Sequence, residues 1–393
     1  MKKKLLLVVI FIMVLALPMI GSYLKLGHMP DGYGLFPAQK VDSDPGFNLY
    51  VFIAFCVVEA IVYAFLVFPK LFGFKKPDVV NEEPKRITRY PPWFVPALIV
   101  MLVSWGVMWG RIKVIYPLEH YTFVPLWWGA ILVLDGIVYK RNNGVSLLSS
   151  KPNTMKLMAV TSAFSWFVFE FLNFFVLENW YYPNNEILTN FGNISWQLVS
   201  YTTVLPAIFE WYLLLKTIKF FKGRYTNGPK IKFSATWQYI FLFLGLSLML
   251  LMGYFPYPLF WVLWICLLPG FVPAMAMAGI WTPFTPVSTK GDWSFVALIG
   301  IATLCNGFFW EFWNFGSNWF YLNEPTNPNY WKYSVPYVDV IHIFSQMPIL
   351  GYCGYILFGI VCWILWLVVA NIAGFDPSVT INDKHEKTEQ GTK

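Results

Sequence analysis

Two stretches decide how this chain reads: Glu170-Phe171-Leu172-Asn173 leading to Asn179-Trp180-Tyr181-Tyr182, and Glu311-Phe312-Trp313-Asn314 leading to Asn318-Trp319-Phe320-Tyr321. In each, an apolar run long enough to cross a bilayer carries a carboxyl and an amide three residues apart. Each then closes on an aromatic cluster. Residues three apart share a helix face, and Trp and Tyr collect where a helix leaves the hydrocarbon. The two acids lie 141 positions apart, as do Tyr116-Pro117-Leu118 and Tyr257-Pro258-Leu259. The aromatic clusters are offset by 139, and Pro206 and Pro348 by 142. Near-constant offsets predict a tandem duplication of one four-helix unit.

Composition agrees with a membrane chain. The 393 residues are 57% hydrophobic and 12% charged, with mean hydropathy +0.54, whereas soluble domains carry about a quarter charged residues. A bilayer core needs about 20 apolar residues in helical form. Ten stretches qualify, near 5–24, 49–68, 91–110, 122–139, 157–177, 194–215, 234–254, 258–280, 294–315 and 342–372. The eighth contains Pro269 and Pro273, and Pro348 predicts a break in the tenth.

The expected fold is therefore an all-α, polytopic transmembrane helix bundle of about ten spans with two four-helix repeats. Four spans per unit give the copies one orientation, which makes the repeats parallel. The expected divisions are a two-helix segment with a cytoplasmic linker over 1–90, repeat 1 over 91–232, repeat 2 over 233–374, and a disordered cytoplasmic tail over 375–393.

Under ten spans, 23 of the 28 Lys and Arg residues fall on one side. That side is expected to face the cytoplasm of an inner membrane, with both termini there. The net charge of +7 thus follows the cytoplasmic loops and needs no nucleic-acid partner. Segment 5–24 follows three lysines and has a signal-peptide reading. Bulky Met19 and Ile20 before Gly21 and Ser22 favour an uncleaved helix.

Cys56, Cys266, Cys305, Cys353 and Cys362 all fall within expected spans, with no Cys-x-x-Cys, so neither a disulfide framework nor structural zinc is expected. Four dispersed histidines, His28, His120, His342 and His385, predict no di-iron or haem site. No phosphate-cradling loop, dinucleotide fingerprint or serine elbow occurs, and no metal or cofactor is expected.

Glu59, Asp135, Glu170, Glu210 and Glu311 fall inside expected spans. A charge at mid-helix costs about 2.5–3.5 kcal/mol on insertion scales, so such groups face protein or a wet cavity. The duplicated Glu170/Asn173 and Glu311/Asn314 pairs are the main catalytic candidates, joined by Glu210. Helix–helix hydrogen bonding is the structural alternative. Trp166, Trp310 and Trp313 flank the acids, and Trp180, Tyr182, Trp319 and Tyr321 follow them. These seven are the expected binding residues, although interface anchoring also accounts for such aromatics. Asp135 is expected to pair with Lys140 or Arg141, and Glu59 with Arg111 or nothing.

The run from Asn173 through Asn179-Trp180-Tyr181-Tyr182-Pro183, then Phe191-Gly192 and Leu205-Pro206-Ala207-Ile208-Phe209-Glu210, resembles the membrane-embedded lycopene cyclases. In that family a Trp-Asp-Asn precedes Trp-x-Tyr-Pro, a Gly and a Pro-x-Glu-Glu run, repeated in tandem. Asn173 and Asn314 stand where the family has Asp, and Pro206 and Glu210 are spaced more widely. The resemblance implies acid-initiated cyclisation of an isoprenoid. Trp310-Glu311-Phe312-Trp313-Asn314 also resembles a bacterial polytopic membrane family, which implies no activity.

Three functions are open to this sequence. One is a membrane enzyme acting on an isoprenoid or other lipid by carboxylate-mediated proton transfer, with a hydrophobic small-molecule substrate. The second is a multi-pass transporter, with or without proton coupling, using a pseudo-symmetric Glu/Asn site. The third is a scaffold without turnover. The aromatic fraction of 20% favours the enzyme, since ring faces stabilise a carbocation.

Overall fold

The computed structural model describes residues 2–40, 45–75, 89–318 and 325–381, with the backbone alone at Lys113. In chain order the helices begin with α1 (Lys2–Leu26), α2 (Leu49–Val67), α3 (Phe94–Gly110), α4 (Phe123–Arg141), α5 (Leu147–Ser150) and α6 (Pro152–Asn173). Strand β1 (Trp180–Tyr181) is followed by α7 (Asn190–Tyr201), α8 (Val204–Lys216), α9 (Ala235–Tyr254), α10 (Val262–Ile265), α11 (Leu267–Met277) and α12 (Thr285–Lys290). The chain continues through α13 (Ser294–Gly316), β2 (Lys332–Tyr333) and α14 (Gly351–Ala373).

Among the described residues, eight helices are long and apolar enough to cross a membrane: α1, α2, α4, α6 with its extension to Val176, α7 and α8 together, α9, α13 and α14. Two shorter apolar helices, Phe94–Gly110 and Val262–Met277, correspond to the third and eighth expected spans. The chain is thus a mostly helical, multi-pass membrane protein.

Local chemistry sets the ends. Asn48 caps α2 by accepting from Tyr50 N and Val51 N at 3.0 and 3.2 Å, and Ser234 caps α9 by accepting from Trp237 N. Gly374 closes α14 at φ 87°, a conformation glycine adopts without penalty. Helix interruptions follow proline. Pro269 has no N–H to donate to Ile265 O, so the eighth stretch divides at Cys266 into α10 and α11. In the tenth, residues 342–350 are non-helical and α14 begins only at Gly351, past Pro348.

Helix α14 sits at the centre, with 72% of its apolar window buried, against 11% for α2 at the rim. Helices α1 and α9 approach backbone to backbone, because a Cβ on Gly21 would overlap Leu250 O and one on Gly253 would overlap Pro18 O. Small residues at a crossing let dispersion replace the hydrophobic drive that lipid removes. Lys4 Nζ donates to Ile372 O at 3.2 Å, so α1 begins and α14 ends at the same, lysine-rich end of the bundle. Residues 375–381 fold back on that end: Val379 is buried, and Trp366 Nε1 donates to Pro377 O at 2.8 Å.

The expected ion pair of Asp135 with Lys140 or Arg141 does not form, and Glu59, for which Arg111 or no partner is open, does not pair with Arg111. Asp135 accepts from Ser146 Oγ at 2.8 Å and Leu148 N at 2.9 Å, holding the turn into α6. Lys140 lies over the Tyr90 ring and Arg141 donates to Thr217, because both reach out to the surface while Asp135 points inward. Arg111 donates to Trp109 O and Ser317 O, whereas Glu59 is buried beside Tyr63 and Cys353.

Candidate functional site

Glu170 lies one turn beyond Trp166 on α6, and Trp166 Nε1 donates to Glu170 Oε1 at 2.8 Å. After the helix, Leu177 and Glu178 take positive φ values of 56° and 52°, reversing the chain into β1. Asn173 Nδ2 secures that reversal by donating to Trp180 O at 2.9 Å. Alternate residues of an extended strand point the same way, so Trp180 and Tyr182 both return to Glu170. Trp180 Nε1 lies at 3.1 Å, Tyr182 OH at 2.5 Å and Tyr201 OH, from the end of α7, at 3.1 Å. Two indoles and the Tyr182 phenol therefore donate to one carboxyl oxygen, while Tyr201 OH divides its single hydrogen between that oxygen and Gln197 Oε1 at 2.5 Å.

A second arrangement of the same kind surrounds Glu311 on α13. Tyr333 OH and Tyr355 OH each donate to Glu311 Oε1 at 2.6 Å. Trp331 Nε1 donates to Tyr333 OH at 2.8 Å. Asn314 Nδ2 donates to Trp331 O at 2.9 Å, and Trp331 N donates back to Asn314 Oδ1 at 3.2 Å. In both clusters the two phenol oxygens are 3.4 Å apart. Strands β1 and β2 pair antiparallel, with Trp180 opposite Tyr333 and Tyr181 opposite Lys332.

The two clusters border one chamber. Its wall includes the phenols of Tyr182, Tyr201, Tyr333 and Tyr355. Between them lie the rings of Trp166, Trp180, Trp264, Trp310, Trp331 and Phe358. The space open to the centres of water-sized molecules is about 90 Å³. At roughly 10–15 Å³ per water-sized unit on that measure, it takes a short apolar segment rather than a whole long-chain lipid. The carboxyls are fully buried behind the phenols, and their outer oxygens, Glu170 Oε2 and Glu311 Oε2, accept no hydrogen bond from the described residues. Burial and then the neighbouring carboxyl push the Tyr182 and Tyr333 phenols well above the ordinary tyrosine range, so both remain neutral donors.

The sequence candidates divide accordingly. Glu170, Glu311, Trp166, Trp180, Tyr182 and Trp310 belong to the chamber or its immediate support. Asn173 and Asn314 hold backbone after the helices instead of orienting the acids, because their amides are spent on Trp180 O and Trp331 O. Trp313 packs edge-on against Trp127 at 4.8 Å, away from the chamber wall. Glu210 is fully buried against Asp135, about two turns along α8 from the chamber-lining Val204. Trp319 and Tyr321 lie outside the described residues.

Sequence reasoning missed Tyr201, Trp331, Tyr333 and Tyr355. For two of these a signal existed: Trp331-Lys332-Tyr333 has the Trp-x-Tyr spacing of Trp180-Tyr181-Tyr182, but 151 positions later instead of 139. No family model, no curated protein and no solved structure matches the chain.

Proposed function

We propose that this protein is an intramembrane enzyme that rearranges an isoprenoid-type lipid by proton transfer, with one carboxyl–phenol cluster as acid and the other as base. The observation that carries this reading is that hydroxyls held by two separate buried carboxyls open onto a single ring-walled chamber. Such a reaction needs no oxidant or second substrate. A tyrosine O–H breaks as a C–H bond forms on an alkene of the ligand, and the carboxyl behind it restores the phenol proton. The carbocation closes a ring or shifts its double bond, then loses a proton to the opposite cluster. The ligand gains one proton and loses one, so it leaves as an isomer, and the proton deposited on the second cluster returns to the first before the next turnover.

Either cluster can hold the starting proton, and the other then receives one. The indole walls stabilise the cation in between. The lysine-rich end belongs in the cytoplasm on this reading, by the charge asymmetry of the loops. The paired Glu-x-x-Asn helices, with their Trp-x-Tyr strands, support descent from a duplicated unit.

The experiment is lipid and pigment profiling of isoprenoid-producing cells that express the protein, against an empty vector. A product isomeric with its precursor is expected, and both Glu170→Gln and Glu311→Gln should abolish it. A profile that persists in both variants ends the reading.

One observation favours a carrier as the second reading. Thr203 and Met347 line the chamber and sit where helices are interrupted, as at many transport sites. Liposome flux of an apolar solute, with no isomeric product, would select it.

A further inference from the structure

The chamber wall is mostly aromatic, and Asn329, Ser200 and Thr203 are its non-aromatic polar residues. Asn329 and Ser200 line it side by side, and both are nearly inaccessible to solvent. Ser200 Oγ donates to Trp196 O at 2.8 Å, which spends its only hydrogen. It therefore accepts from Asn329 Nδ2, at 2.6 Å, and this fixes how the amide is turned. The backbone is fixed as well, since Asn329 N donates to Asn327 Oδ1 at 3.0 Å. Asn329 Oδ1 is left as a buried acceptor with no donor among the described residues. A buried carbonyl oxygen without a donor carries an uncompensated desolvation penalty, and this one belongs to a residue of the cavity wall.

Gln197 stands one turn from Ser200 on α7, on the same face. It is fully buried, its Oε1 lies 2.5 Å from Tyr201 OH, and its Nε2 donates to nothing among the described residues. The polar end of the chamber thus holds a spare acceptor, with a spare donor one turn away. Among the described residues, no lysine, arginine or histidine lines the chamber.

We infer that Asn329 and its neighbours form a hydroxyl-binding subsite, and that the ligand is a neutral isoprenoid alcohol whose O–H donates to Asn329 Oδ1. A hydroxyl can give the hydrogen bond that Asn329 Oδ1 lacks. A diphosphate headgroup is disfavoured because no basic residue among those described lines the chamber to meet its charge. A pure hydrocarbon would leave the carbonyl unpaired. The subsite also gives direction: it anchors the polar end of the chain beside the Glu170 cluster, through Tyr201. The inference rests on the isoprenoid reading of the chamber and narrows its substrate class.

The test is binding of tritiated geraniol to the full-length protein in lipid nanodiscs, competed by unlabelled geraniol, by the hydrocarbon myrcene and by geranyl diphosphate. Geraniol is expected to compete about tenfold better than myrcene, the value of one buried hydrogen bond, with geranyl diphosphate weakest. Asn329→Leu should erase the preference for geraniol while keeping myrcene binding. If that variant does not fold, the comparison on the unaltered protein still decides. Equal competition by geraniol and myrcene, or stronger competition by the diphosphate, overturns the alcohol subsite and leaves the isoprenoid chamber standing. If neither tritiated geraniol nor tritiated myrcene binds, both readings fall.

Discussion

Trp180 and Tyr333 face each other across the two-residue ribbon of β1 and β2, and each donates to a different buried carboxyl. Glu170 and Glu311 are thereby tied to one rigid piece of backbone, although 141 positions separate them in sequence. A ribbon this short has little stability of its own. It is held by side chains that reach the helices on either side.

Asn173 and Asn314 supply that hold, so their loss should appear as instability before it appears as lost chemistry. Replacing either by Leu leaves a buried carbonyl unpaired, at a cost of about 1–3 kcal/mol. Asn314→Leu should be the worse of the two, since Asn314 makes two bonds to Trp331 and Asn173 makes one to Trp180. Thermal unfolding in nanodiscs would rank them. Equal midpoints for both variants and the parent would contradict the role.

The phenols stand between the acids and the chamber, which makes them the groups that meet the ligand. Tyr355→Phe keeps the ring beside Trp310, at 5.7 Å between centroids, and removes only the hydroxyl. Turnover should fall about 10²–10⁴-fold, the usual worth of a positioned proton donor, with KM little changed. A drop confined to KM would mean that the hydroxyl binds the ligand and does not move its proton.

Alkali offers an independent check. In the unfolded chain a tyrosine ionises near pH ~10, while Tyr182 and Tyr333 are held well above that range by burial and by the adjacent carboxyls. A folded-state value raised in this way contributes stability that is complete below the unfolded value and drains away as pH rises past it. Stability should therefore decline above pH ~10, and Tyr182→Phe should make the decline shallower. Identical alkaline slopes for parent and variant would show that the phenol is not sheltered as described.

The crossing of α1 and α9 predicts a purely structural effect. Gly253→Val would drive a side chain into the Pro18 carbonyl, and overpacking of this kind costs about 1–3 kcal/mol. Lower melting temperature and poorer monodispersity in detergent are expected, whereas Gly106→Val, with open space at its Cβ, should change neither. Comparable losses in both would point away from the crossing as the cause.

Apolar run length and scarce charge, by themselves, determined that this is a multi-pass helical membrane protein, because hydrocarbon admits few other backbones. The spacing of three residues likewise placed Glu170 with Asn173, and Glu311 with Asn314, on shared helix faces. It could not say what the amides would bond, and the nearest backbone carbonyls, not the acids, took them. Tyr201 and Tyr355 come from elements 31 and 44 positions beyond their acids, a separation that carries no local periodicity. Trp331 and Tyr333 were hidden because an extra dozen residues displace them from the expected offset. Only the folded chain, pairing Trp180 with Tyr333 and closing rings around one space, decided which aromatics anchor the bundle and which make a chamber.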